Sequence, residues 1–176
     1  MSKQQRSVRP TSSNRGQDAI IASVLRHLSL VDSPAEPGFN RFTRLVCQVA
    51  DVRMALVTFV EEQANRQYFK AAMGLPAGTE TSLDRSFCKI VARTGEMLSV
   101  TDARTDARVS DNPVIEEMGV RAYLGAPILG PRGEALGSLC AVDRTPRDWS
   151  DAHKRAIADL ADCVSDHIAL RHMRLA

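Results

Sequence analysis

Two hairpins constrain this chain more than any other feature. MALVTFVEE alternates Leu56, Thr58 and Val60 against Val57 and Phe59, is rich in β-branched residues, and passes through a polar EQAN turn into RQYFKAAMGL. Further along, RAYLGAPILG and EALGSLCAVD are joined by PRG and read as a second hairpin. Strands joined this way build an antiparallel sheet. A parallel dinucleotide-binding sheet needs alternating strands and helices and a glycine fingerprint, and neither G-x-G-x-x-G nor a Walker sequence occurs. Nucleotide hydrolysis therefore gains no support.

Helical periodicity surrounds the hairpins. Residues 17–31 set Ile21, Leu25 and Leu28 at spacings of four and three, then Pro34, Pro37 and Gly38 interrupt before Phe39, Phe42, Leu45, Val46 and Val49 begin a second helix. SLDRSFCKIVARTGEM places Phe87, Ile90, Val91 and Thr94 on one face and predicts a single helix capped by Ser82 or Asp84 and closed by Gly95. LSVTD reads as a strand, and Asn112 before Pro113 as the cap of a short VIEEMG helix. Ser150 starts a long final helix with Ile157, Leu160, Ala161, Val164 and Ile168 in a stripe, and Trp149 is expected to staple it to the sheet. The predicted class is α+β, with helices covering an antiparallel sheet.

At 176 residues, 44% hydrophobic and 25% charged, the chain suits one ordinary soluble domain. Its apolar runs are far shorter than a membrane span, and its polar, basic start is no secretory signal, so a cytoplasmic location without membrane contact is expected. The net charge of +2 is uneven: residues 1–18 carry Lys3, Arg6, Arg9 and Arg15 against Asp18. Residues 1–16 thus read as a flexible basic tail, and 17–176 as the domain. With the basic surplus in a tail, a nucleic-acid surface is not expected. Cys47, Cys88, Cys140 and Cys163 show no Cys-x-x-Cys pair and no zinc-finger histidine, so reduced thiols and no metal are expected.

SFC, VTDARTDARVSDNP and GAPILGPRGEALGSLCAVDRTPR together resemble the sensory GAF domain, in the subgroup found in bacterial histidine kinases and diguanylate cyclases. The resemblance spans roughly residues 20–170. It implies a profilin-like antiparallel sheet, terminal helices packed on one face, and a small-molecule pocket on the other beneath the central helix and loop. It further implies a homodimer through those helices, acting on a kinase or cyclase output domain or a partner protein. The cofactor or ligand is left unnamed. The loop DARVSDNP lacks the Asp-Ile-Pro turn of bilin-binding members, and no cysteine neighbours a histidine. No Asn-Lys pair of the cyclic-nucleotide type occurs, and His27, His153, His167 and His172 fall on terminal helices, where none serves as a haem ligand.

The candidate ligand-binding residues are Ser86, Phe87, Cys88, Asp102, Arg108, Asp111, Asn112, Arg121, Tyr123 and Cys140. Cys88 is expected near a helix start with Arg85 and Lys89 beside it, which favours a thiolate; the plainer reading is a small buried hydrophobe next to Phe87. Cys140 on its strand reads as packing. The loop charges Asp102, Arg104, Asp106, Arg108 and Asp111 suit either a charged ligand or turn formation. Asn112 reads foremost as a cap, and Arg121 and Tyr123 face either the cavity or the solvent edge. Ile21, Leu25, Leu28, Ile157, Val164 and Ile168 are the candidate dimer interface.

The function expected is a non-catalytic sensory module that turns ligand occupancy into a change of helix packing. Two rivals stand beside it. One is a thiol redox enzyme related to the free methionine-(R)-sulfoxide reductase, although EEMGVRAYLGAP stands here where that enzyme carries its catalytic cysteine. The other is a structural dimerisation module with a collapsed pocket.

Overall fold

The structure, a computed structural model, describes residues 12–75 and 79–176, with side chains described from Arg15. In chain order the elements are α1 (Ser12–His27), α2 (Pro37–Ala50), β1 (Met54–Glu61), β2 (Arg66–Met73), β3 (Glu80–Ser82), a 3-10 turn (Leu83–Arg85), α3 (Cys88–Thr94), β4 (Leu98–Val100), α4 (Val114–Met118), β5 (Ala122–Leu129), β6 (Ala135–Asp143) and α5 (Asp151–Leu175). Both expected hairpins form. β1 pairs with β2 and β5 with β6, and β1 with β6 joins the two hairpins into one six-stranded antiparallel sheet of order β3-β2-β1-β6-β5-β4. Pro127 sits in β5 without cost because β4 pairs only as far as Gly125, leaving that edge free of a ladder bond at the proline.

The sheet is covered on both faces. On one, Leu25 of α1, Leu28 just after it, Phe39 and Val46 of α2, and Ile157, Val164 and Ile168 of α5 pack on Val57, Phe59, Leu124, Ile128 and Leu139. On the other, Leu56, Phe69, Tyr123 and Cys140 meet Phe87, Cys88 and Val91 of the α3 region and Ile115 of α4. Strand alternation sends neighbouring residues to opposite cores. Ser150 caps α5 reciprocally with His153, and the Trp149 indole N–H donates to the Val100 carbonyl at 3.0 Å, holding the helix start on β4 as expected.

Several expectations are corrected. α1 begins at Ser12, inside the stretch read as tail, because polar residues extend the helix where apolar periodicity gave no signal; residues 1–11 lie outside the described residues. It ends at His27 because Ser29 turns left-handed (φ 51°), after which Leu30 and Val31 are buried from a turn. The single helix expected over 82–97 is divided into β3, the 3-10 turn and α3. Ser86 causes the break: its buried hydroxyl donates to Gln67 Oε1 at 2.6 Å and accepts the Lys89 N–H at 3.0 Å, drawing the chain onto β2.

The candidate interface residues are also reassigned. Leu25, Leu28, Ile157, Val164 and Ile168 are at most 1% exposed, and Ile21 packs against the same core, so this stripe is consumed by the chain's own sheet. The exposed large apolar side chains are Ile20 on α1, Leu45 and Val49 on α2, Met73, and Leu170, Met173 and Leu175 on α5. Among the described residues no helix is long and apolar enough to cross a membrane.

One buried charge organises the α1–α2 connection. Lys70 of β2 has a fully buried side chain whose ammonium donates to Glu36 at 2.6 Å, Ser33 Oγ at 2.7 Å, and the carbonyls of Pro34 at 3.1 Å and Ser29 at 3.3 Å. It also lies 5.7 Å from the centre of the Phe39 ring. Burial alone would raise the Glu36 carboxyl, but hydrogen bonds from Arg171 and Lys70 outweigh it and hold that carboxyl below its ordinary range. Lys70→Ala removes a donor from all four oxygens and should destabilise the domain by about 3 kcal/mol. Thermal unfolding should register this as a fall in Tm of about 6–12 °C.

Candidate functional site

On the face away from α5, the sheet and the segment from β3 to α4 border a half-open cavity of about 160 Å³. Its walls are mostly carbon: Leu56 and Phe69 from β1 and β2, Phe87, Val114, Met118 and Val120 from the covering elements. A wider depression of about 680 Å³ lies at the strand ends, where Asp51, Arg53, Asp143 and Arg144 stand among Val52, Met54 and Val142, so its lining is far more polar and charged. The apolar cavity is the candidate site.

A charged latch stands over it. Arg85, at the end of the 3-10 turn, makes two bonds of 2.8 Å to the Glu117 carboxylate on α4. Both residues line the cavity, and the planar bidentate geometry fixes α4 against the 3-10 turn. The hydrogen bonds to Glu117 raise the already high Arg85 pKa, so the guanidinium stays charged. Gln67 joins Ser86 to Thr81, with its amide donating to Thr81 Oγ1 at 3.0 Å, and completes the polar rim.

The floor is a network of thiols and hydroxyls. Cys88 Sγ lies 3.9 Å from Cys140 Sγ and accepts from the Tyr123 hydroxyl at 3.3 Å; that hydroxyl is 3.0 Å from Ser138 Oγ. Thr58 Oγ1 donates to the Ser138 carbonyl at 3.3 Å behind it. The hydrogen bond from Cys140 contributes most to pulling the Cys88 thiol down to about 7; burial opposes it, and Thr58, Tyr123 and Ser138 assist. Burial pushes Cys140 and Tyr123 up, and charge on Cys88 pushes both further.

The ten candidate ligand residues separate into three groups. Phe87, Cys88 and Tyr123 line the cavity, and Cys140 lies directly beneath Cys88. Phe87 and Tyr123 meet edge to face at 5.5 Å. Ser86, Arg108, Asp111 and Asn112 border a separate outer cleft of about 290 Å³. There Asn112 Oδ1 accepts the Val114 N–H at 3.0 Å as a turn former, and Arg108 is occupied by Asp106 and the Ser99 carbonyl. Asp102 and Arg121 pair with each other at 2.6 and 2.8 Å, away from the cavity, with Asp102 held down to about 2 chiefly by the Arg121 hydrogen bond. These loop charges pin residues 101–112 to the start of β5 and are thereby removed from the cavity candidates.

Arg85 and Glu117 were not among the candidates read from the sequence. Their signal is weak because they sit 32 residues apart and only the fold brings them together. Gly125 likewise matters through what it omits: a Cβ there would lie 2.2 Å from the Tyr123 hydroxyl and 2.7 Å from Ser138 Oγ. Gly125→Ala should displace the tyrosine from its partners and lower stability by about 1–3 kcal/mol. The check is a drop in Tm of about 2–12 °C.

Comparison with known proteins bears on this architecture. The GAF domain profile matches residues 35–169. The chain is 34% identical over 121 residues to the cyclic di-GMP phosphodiesterase PA2567 of Pseudomonas aeruginosa, covering 68% of this chain and 20% of that protein. It is 27% identical over 156 residues to the diguanylate cyclase DgcP of Escherichia coli, covering 86% and 45% respectively. The chain thus spans less than half the length of both relatives. Among solved structures, the GAF domain of a phosphoenolpyruvate-protein phosphotransferase from Coxiella burnetii superposes with a TM-score of 0.66 at 17% identity, covering 93% of this chain and 98% of that one. Free methionine-R-sulfoxide reductase from Neisseria meningitidis does so at 0.65 and 13%, covering 97% and 99%; at these identities the likeness concerns the fold. A profile match over most of the length, with an open six-stranded sheet of matching architecture, shows that the chain belongs to the GAF domain family.

Proposed function

We propose that this domain is a sensor that binds a small molecule in the cavity between the sheet and α4 and relays its occupancy to the helices on the opposite face. The observation that carries the reading is the apolar cavity with the Arg85–Glu117 pair in its lining. Its support comes also from relatives named as a cyclic di-GMP phosphodiesterase and a diguanylate cyclase, and from a structural neighbour named as a methyl-accepting chemotaxis protein. A sensory role upstream of such output domains fits a domain that occupies only part of those chains.

The lining defines the ligand's chemistry. At about 160 Å³ the cavity is smaller than the roughly 300–1,000 Å³ of drug-sized pockets, so the ligand is a small molecule with an apolar body. Arg85 suits an anionic head group, which would take the guanidinium from Glu117 and free α4. Such a ligand favours the unlatched arrangement and shifts the population toward it. The domain acts without catalysis in this reading, since the segment 116–127 before the last hairpin contains no cysteine.

Occupancy reaches the other face through shared strands. Tyr123 and Cys140 face the cavity, while their neighbours Leu124, Leu139 and Ala141 pack in the core under α5. Beyond that core, Leu170, Met173 and Leu175 are exposed along α5, and Ile20 on α1. A second copy of the chain covers this surface in the proposed dimer, because an isologous contact matches like helices to like.

Thermal unfolding against acetate, butyrate, hexanoate, octanoate and phenylacetate tests the ligand class. One of these at about a hundredfold over its Kd should raise Tm by about 5–10 °C. Val120→Phe should abolish the shift by filling the cavity, and a panel without any shift would leave the anionic class unsupported. For the dimer, sedimentation of the wild type should give twice the chain mass and Met173→Glu with Leu170→Glu should give monomers that still bind. A wild-type monomer at tens of micromolar would overturn the proposed assembly.

A further inference from the structure

We infer that Cys88 and Cys140 form a reversible intramolecular disulfide when a small peroxide enters the cavity, making the cavity floor an oxidation site. The geometry leads to this assignment. The two sulfurs are 3.9 Å apart, on the first turn of α3 and in the middle of β6, 52 residues apart in sequence. A disulfide needs about 2.05 Å, so closure requires the sulfurs to approach by about 1.9 Å. Cys88 lines the cavity although it is only 2% exposed, whereas Cys140 is fully buried behind it. An oxidant small enough to enter reaches Cys88 first and finds the second thiol already beneath it.

The surroundings are built for a thiol that gives up its proton. The Tyr123 hydroxyl touches Cys88 Sγ at 3.3 Å and Ser138 Oγ at 3.0 Å, forming a short relay from the strand to the sulfur. Gly125 leaves the space this hydroxyl occupies. The other two cysteines lack such surroundings: Cys163 is exposed on α5, and burial raises the half-buried Cys47 on α2. Nucleophile, proton relay and resolving thiol therefore coincide only at the cavity floor among the described residues.

The chemistry balances with hydrogen peroxide as the oxidant. The Cys88 thiolate attacks one peroxide oxygen; the S–O bond forms, the O–O bond breaks, and the departing hydroxide takes the proton Cys88 released and leaves as water. Cys88 is now a sulfenic acid. Cys140 sulfur then attacks Cys88 sulfur, the S–S bond forms and the S–O bond breaks, and the hydroxide leaves as water with the Cys140 proton. Two thiols have been oxidised and one peroxide reduced to two waters. A dithiol reductant reverses the step.

The link fastens α3 to the central strand and removes the acceptor of the Tyr123 hydroxyl. Phe87 and Cys88 both belong to the cavity wall, so oxidation alters the volume offered to any ligand. The disulfide itself forms regardless of what that ligand is, and its failure would be visible in the peptides whether or not the panel of carboxylates binds.

The test uses the full reduced chain, freed of reductant under nitrogen, treated with a few equivalents of hydrogen peroxide, then denatured and blocked with N-ethylmaleimide. Trypsin without reduction should release SFCK (residues 86–89) joined to GEALGSLCAVDR (residues 133–144), at a mass two hydrogens below their sum. The linked species should carry most of the Cys88 signal, vanish with dithiothreitol, and accompany a rise in Tm of several degrees. In Cys140→Ser the link should be lost and Cys88 should be trapped by dimedone as the sulfenic acid; Tyr123→Phe should slow the link several-fold. Cys140→Ala serves where the serine does not fold, and the wild-type peptides decide without either variant. Recovery of Cys88 as the maleimide adduct while Cys163 is oxidised would overturn the inference. So would linkage of Cys88 to Cys47 or Cys163, or an equal yield from chain unfolded in urea before the peroxide is added.

Discussion

The pairing of β1 with β6 is the constraint on which everything else in this fold depends. It joins the two hairpins, runs from Met54 opposite Val142 to Phe59 opposite Gly137, and leaves both strands buried on both faces. A sheet whose centre is buried twice needs two covers. Helices α1, α2 and α5 supply one with long aliphatic and aromatic stripes. The second cover is assembled from a 3-10 turn, two short helices and the loop at 101–112. Short elements cannot fill a face as completely as a 25-residue helix, and the cavity is the space they leave. At Gly137 the pairing is so close that a Cβ would stand 1.9 Å from the Thr58 carbonyl, so the register itself depends on a residue without a side chain.

The features legible in the sequence are those governed by local chemistry. The hairpins, the Ser150 start of α5 and the Asn112 bond to the Val114 N–H at the start of α4 each depend on residues close together in sequence. The features that escaped depend on partners brought from afar. Ser86 breaks a helix because Gln67 is waiting on β2, and Arg85 finds Glu117 only after the sheet has formed. Periodicity also cannot say what a stripe packs against. Ile157, Val164 and Ile168 look the same whether the cover is a sheet or a second subunit, and here the sheet takes them all.

Charge was equally ambiguous before folding. The run from Asp102 to Asp111 offers enough carboxylates and guanidiniums to bind a ligand, yet the fold spends them on itself. Asp102 closes on Arg121 and Asp106 on Arg108. Pairs still reached by solvent add little stability, so their worth lies in fixing loop geometry. The deeper charges behave otherwise. Lys70 is fully buried and Glu61 nearly so, with Arg26 and Arg66 bonded to that carboxylate, and such groups tolerate burial only with every partner in place. They sit under the α1–α2 connection and at the edge of β2, which makes the helical cover the rigid half of the molecule.

Rigidity on one face and incompleteness on the other set the direction of the proposed response. A perturbation at the cavity meets short elements, the 3-10 turn and the five-residue α4, joined by the Arg85–Glu117 pair and anchored in the core through Leu83 and Ile115. Those elements can rearrange at small cost. Their movement is felt on the far face only through the strands, because Tyr123 and Leu124, or Cys140 and Ala141, are consecutive residues with opposite destinations. A shift of β5 or β6 large enough to accommodate a ligand or a disulfide must therefore displace side chains against Ile157, Ala161 and Val164. In a core packed to crystal-like density such a displacement is passed on and not absorbed. The same alternation that built the sheet from sequence is what connects its two faces.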